Sequence, residues 1–202
     1  PVVLFDRYFD GLPTSNVIVD NFNGSMLAVE HLLQNGHRNI GFITIDSAQT
    51  QMTSRLQGYY RAMQHHTLET SILKLGFGLD PAIAAHEIKA FLRQHPQLQA
   101  ILFATNYLAI SGLHAIAALQ RTVPGDLAVV GFDDTPYFSL FSPSITAVAQ
   151  PVRAISQKVI DNLIDCLTGR TPVLPQQTTI LPVELIIRQS SAPRVKSDTS
   201  KL

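Results

Sequence analysis

Five short apolar runs constrain this chain more than anything else in it: Val2–Phe5, Val17–Val19, Ile40–Ile45, Ala100–Phe103 and Leu127–Phe132. None alternates with polar residues. A strand with one face in water alternates, whereas a strand buried on both faces reads as a continuous apolar run. Between the runs lie amphipathic stretches with helix punctuation. Phe22–Asn35 places Leu27, Leu32 and Leu33 on one side and stops at Asn35-Gly36. Thr53-Ser54 is positioned to cap Arg55–His65, and Asp80-Pro81 to open a helix carrying Ala84, Ile88, Phe91 and Leu92. Asn106 is expected to cap Tyr107–Arg121, and Val152–Leu167 ends at Gly169. Strands alternating with helices of this length form βαβ units, so the fold class is α/β with parallel sheets flanked by helices. Thr178–Ile187 reads as extended, with Pro182 at an edge or bulge. The residues from Ser190 onward are polar and are expected to fray.

The chain's 202 residues carry 15 Lys+Arg against 15 Asp+Glu, a formal net charge of zero. That balance leaves no basic excess for gripping a polyanion. Cys166 is the single cysteine, so no internal disulfide or cysteine metal cluster can form. No apolar run approaches the roughly 18–20 residues that span a bilayer. Pro1–Arg7 has no basic leader region and reads as a strand entered partway, which suggests a segment of something longer.

In open parallel sheets, ligands bind where strand carboxyl ends run into helices. Those positions collect Asp46, Ser47, Gln49, Thr50, Gln51, Thr53 and Arg55 after one run. Thr105 and Asn106 follow another, and Asp133 and Asp134 a third; Phe77 lies beyond the short run Ile72–Leu75. Hydroxyls, amides, acids, an Arg and an aromatic suit a sugar or other small polar metabolite. Arg55 in a first helical turn would oppose the helix dipole, and its planar fork can bracket vicinal hydroxyls or a carboxylate. For each of the four there is a plainer role: surface Arg55, helix-capping Asn106, Asp133 in a turn, Phe77 in the core. Metal and cofactor motifs fail. His31 and His37 do not share a helix face, His65-His66 reads as a solvated helix end, and Gly76-Phe77-Gly78 lacks the third glycine of a dinucleotide loop. No Gly-x-Ser-x-Gly elbow or nucleophile–base pair argues for an enzyme. No cofactor and no metal is expected.

Three stretches resemble LacI/GalR-type transcriptional regulators. They are Asp20–Gly24 leading to Glu30–Ile40, the run Val123–Asp134, and Ile145–Pro151; Ser54–Tyr59 and Ala104–Asn106 fit in order and spacing. The resemblance implies a two-lobed, periplasmic-binding-protein-like effector domain with three inter-lobe crossings and an incomplete first lobe. Its first lobe would hold residues 1–43 and 150–174, its second 44–149 and 175–188, and 189–202 would be tail. It also implies ligand contacts from Arg55, Asn106, Asp133 and Phe77, although Tyr107 stands where many relatives carry Asp. A sugar effector in the cleft would bind one lobe arrangement better than the other and so alter DNA binding. DNA contact would come only through a helix-turn-helix head that this chain lacks. A cytoplasmic homodimer is implied, with no membrane partner. Ala109, Gly112, Tyr137, Phe138 and Phe141 are candidate partner-surface residues. The competing reading is a periplasmic solute-binding protein of a sugar transport system, which shares the fold.

Overall fold

A computed structural model describes residues 1–9, 11–170 and 177–193. The apolar runs are strands, and they form two sheets. Strands β1 (Val3–Phe5) and β2 (Ser15–Val19) belong to a three-stranded parallel sheet. Helix α1 (Asn21–Gln34) then leads into a six-stranded sheet containing β3 (Ile40–Asp46), β4 (Ser71–Gly76), β5 (Ala100–Phe103), β6 (Ala128–Phe132) and β7 (Thr146–Ala149). Helices α2 (Thr50–His65), α3 (Pro81–Gln94) and α4 (Asn106–Ala118) are its crossover connections. After α5 (Val152–Leu167), β8 (Thr178–Leu181) joins the small sheet beside β2, and β9 (Glu184–Ile186) runs antiparallel to β7.

The large sheet has the order β4-β3-β5-β6-β7-β9. Chain direction across the sheet reverses between β3 and β5, which makes the crevice outside their carboxyl ends the favoured ligand position. Ile40, Phe42, Ile43, Ala100–Phe103 and Leu127–Val130 are buried on both faces, and this explains their unbroken apolar character. A smaller core forms from Val17, Val19 and Ile155 against Val3, Val159 and Leu181.

The sheets divide the chain at different points from those implied by the resemblance. Crossings lie at Asp20-Asn21, Gln150-Pro151 and Pro182-Val183; the implied boundary at 43/44 falls inside β3, and the one at 174 lies outside the described residues. Helix α1 and β3 belong with the large sheet because α1 packs along α2 and under β5–β7. Residues 178–181 belong with the small one. Pro182, with no N–H to donate, marks the point where the extended segment leaves one sheet for the other. Val183 packs against both cores.

Three local expectations change. Helix α2 begins four residues before Ser54, so Thr53-Ser54 does not cap it and Arg55 lies in its second turn. Thr105, not Asn106, caps α4, accepting from Leu108 N–H at 3.3 Å. The start of the expected tail does not fray: Gln189–Ser191 forms a 3-10 turn with Ser190 and Ser191 fully buried. Ser190 Oγ donates to Val129 O at 2.6 Å and accepts from Thr146 N–H at 2.9 Å. Ser191 bonds Thr146 Oγ1 and His31 Nε2, each at 2.7 Å. Polarity suggested solvent; here it serves a satisfied internal network.

Candidate functional site

The site starts with a close helix approach. Gly58 of α2 faces the Phe22 carbonyl of α1 so tightly that any β-carbon would overlap that oxygen. This brings Asn21, the first residue of α1, to the side chain of Arg55, whose Nε donates to Asn21 Oδ1 at 2.8 Å. Arg55 reaches across the switch point. Its Nη1 donates to Ala104 O beyond β5 at 2.6 Å, and its guanidinium meets Asp133 beyond β6 through Nη1–Oδ2 at 3.1 Å and Nη2–Oδ1 at 3.2 Å. The guanidinium carbon lies 3.7 Å over the Phe132 ring centre, a cation–π stack.

Arg55 is 1% exposed and Asp133 25% exposed at the side chain. A buried cation of this kind requires pairing and several acceptors. The fork predicted to face ligand is therefore turned inward, where it holds the carboxylate that does face the crevice. Asp133 adopts left-handed backbone (φ 70°), as does Asp6 (φ 66°), a conformation Asp tolerates and one that concentrates at functional sites. Gln150 Nε2 also donates to Asp133 Oδ1. The neighbouring acid does something else: Asp134 takes a two-point bond from Arg188 at 2.9 and 2.8 Å and ties the last strand to the sheet.

A hollow of about 720 Å³ opens above this pair. Asp6, Asn106, Asp133 and Gln150 supply its polar end; α5 supplies Ile155, Val159 and Ile160. Asp6 faces Arg55 and Asp133. Burial and the Asp133 charge push its carboxyl pKa up, against the pull of Arg55. Gln51 Nε2 lies 3.4 Å from Asp6 Oδ2.

Of the four candidate residues, the structure brings Asp133 and Asn106 to this hollow and Arg55 beneath it. Phe77 is elsewhere: 69% exposed, it lines a separate depression with Leu75, Leu79 and Tyr107. The aromatic at the main hollow is Phe5, the last residue of β1. Phe5, Asp6, Asn21 and Gln150 were missed, although each lies at the end of a strand or just beyond it. Applying the strand-end rule to every run, including Val2–Phe5, would have found Phe5 and Asp6. The expected partner surface is also partly internal. Ala109 and Phe138 are fully buried, Gly112 is buried against the Phe103 ring, and only Tyr137 and Phe141 of that set are exposed.

The family model for the periplasmic binding protein-like domain matches residues 29–191. The chain belongs to this family. Its relatives include repressors and other transcriptional regulators, among them a protein of the LacI family. The sucrose operon repressor of Pediococcus pentosaceus is 33% identical over 92% of this chain and 56% of its own length. The HTH-type transcriptional regulator CelR of Thermobifida fusca is 30% identical over 87% of this chain and 52% of its own. Among solved structures, a regulatory protein of the LacI family from Chloroflexus aggregans superposes with TM-score 0.83 at 30% identity, covering 94% of this chain and 68% of that one. A CelR–cellobiose complex superposes with TM-score 0.82 at 28% identity, over 94% and 58%. The periplasmic-binding-protein-like chain is thus an effector-binding domain of the LacI type, and it spans about half the length of the curated relatives it matches. Among the described residues, no helix is long and apolar enough to cross a membrane.

Proposed function

We propose that this domain senses a small polyhydroxylated metabolite, a sugar or sugar derivative, for a DNA-binding transcriptional regulator. The observation that carries the reading is the Arg55–Asp133 pair, an α2 side chain held at the ends of β5 and β6, which presents a fixed carboxylate to a hollow of about 720 Å³. A carboxylate that cannot reorient accepts two hydroxyl protons at defined angles. Asn106 and Gln150 add amides that both donate and accept. Phe5 and the α5 side chains offer an apolar face for ring C–H groups. The hollow lies where the chain crosses between sheets, so occupancy favours one relative placement of the two over another.

Regulation then runs through parts outside this chain. A helix-turn-helix head reads the operator, a homodimer presents two heads, and the protein works in the cytoplasm. The repressors and regulators among the relatives favour this role over solute delivery to a transporter. They equally favour binding over catalysis, and no cofactor is needed.

Calorimetry with mono- and disaccharides, starting from sucrose and cellobiose, tests the reading. Saturable binding that weakens about tenfold or more in Asp133→Ala is expected, the scale of one charge-assisted hydrogen bond. Binding indifferent to Asp133, or no sugar bound at all, would overturn it.

A further inference from the structure

Away from the hollow, the carboxyl end of α2 meets the middle of α1. Helix α2 ends at His65, His66 caps it, and Thr67 turns left-handed (φ 54°). Consecutive residues inside a helix point about 100° apart. At this end they converge: the two imidazole rings meet edge-on, 5.1 Å between centres. Between them reaches Glu30 of α1. His66 Nε2 lies 2.9 and 3.1 Å from its two carboxylate oxygens, and His65 Nδ1 lies 3.8 Å from Oε1. One nitrogen from each ring and a carboxylate oxygen all fall within 4.8 Å of one another.

We propose that Glu30, His65 and His66 form a binding site for one divalent transition-metal ion of the zinc class. Two imidazoles and a carboxylate make a donor set suited to Zn²⁺, Ni²⁺ or Cu²⁺ and short of the six or more oxygens that Ca²⁺ demands. Metal–nitrogen and metal–oxygen bonds of about 2.0–2.2 Å place neighbouring donors roughly 3.3–3.5 Å apart in a tetrahedron. The Glu30–His66 spacing is slightly shorter than that range and the Glu30–His65 spacing slightly longer. Rotation of His65, whose side chain is 72% exposed, closes the difference without disturbing the core. The ion takes the place of the His66–Glu30 hydrogen bond, and the outward coordination position is left to water. Such an ion would clip α1 to α2, the helices that carry Asn21 and Arg55, and so stiffen the base of the ligand hollow. The site itself does not depend on what that hollow binds.

Zn²⁺ titration of untagged protein against a chromophoric chelator, with thermal melts in Zn²⁺ and in EDTA, tests the site. One equivalent bound and a higher Tm in Zn²⁺ are expected, with Glu30→Gln and His66→Ala each weakening binding at least about tenfold. The exposed controls His86→Ala and His114→Ala should bind as wild type does. His86 and His114 are exposed and the Glu30 and His66 side chains half-buried, and the melts of all four variants in EDTA report folding independently. No uptake, or uptake unchanged in Glu30→Gln and His66→Ala, would overturn the proposal.

Discussion

Arg55 and Asp133, 78 positions apart in the chain, meet through two parallel N–H···O contacts of 3.1 and 3.2 Å. Only the acid of the pair touches solvent. The geometry makes Arg55 the residue that positions Asp133, and Asp133 the one whose carboxylate lines the hollow.

Removing the acid should therefore cost folding stability as well as affinity. In Asp133→Ala the guanidinium keeps Asn21 and Ala104 O but loses its anion, and the expected loss is of order 3 kcal/mol. Asp133→Asn, which retains an acceptor, should lose less. Urea unfolding midpoints measure both. A wild-type midpoint for Asp133→Ala would show that Arg55 does not depend on the pair.

Gly58→Ala probes the helix contact beneath the site. In an isolated helix this change gains up to about 1 kcal/mol. Here the new methyl overlaps the Phe22 carbonyl oxygen, a backbone atom that cannot swing away. A net loss of about 2 kcal/mol or more is expected from overpacking. Thermal unfolding reads it, and a stabilised variant would mean the helices can separate freely.

Asp6 sets a pH dependence of known sign. Its folded carboxyl pKa is raised, first by burial, so the ionised form is disfavoured by folding. Above the raised pKa the full penalty applies; below the unfolded value of 3.8 both states are protonated and it vanishes. Asp6→Asn should be more stable than wild type at pH 7, with the advantage shrinking as pH falls through the raised pKa toward 3.8. Paired denaturation curves across that range check the trend, and an advantage that grows on acidification would contradict it.

Ser190 tests the latch at the end of the described chain. Its hydroxyl serves Val129 O and Thr146 N–H at once, so Ser190→Ala leaves two buried backbone groups unserved. A cost of about 1–3 kcal/mol is expected. If residues from 190 onward were loose, the substitution would change nothing in a melt.

Phe77→Ala separates the two depressions. Because Phe77 and Asp133 line different ones, sugar affinity should stay as in wild type, whereas Phe5→Ala should weaken it. A titration in which Phe77→Ala abolishes binding would join the two.

Much of the architecture was legible because burial leaves a one-dimensional trace. Ile40–Ile45, Ala100–Phe103 and Leu127–Phe132 are apolar throughout since both faces are covered, and Asp80-Pro81 starts its helix by local chemistry alone. Asp133 was legible for a related reason, because a polar residue directly after a buried strand has only the crevice to enter. Arg55 was identified as important, but its direction was not. A guanidinium can serve ligand hydroxyls or an internal carboxylate, and nothing local in the sequence says which lies within its reach.

The sequence by itself determined the α/β class, the sequential order of most elements and the strand ends where a ligand can be met, since these follow from periodicity and capping within a few residues. Only the tertiary structure decided partnerships across distance. It sent residues 178–181 and 184–186 to different sheets, turned Arg55 inward onto Asp133, replaced Phe77 by Phe5 at the hollow and buried Ser190 and Ser191. Each of those outcomes depends on which polar groups find partners once water is excluded, and those partners lie tens of residues away along the chain.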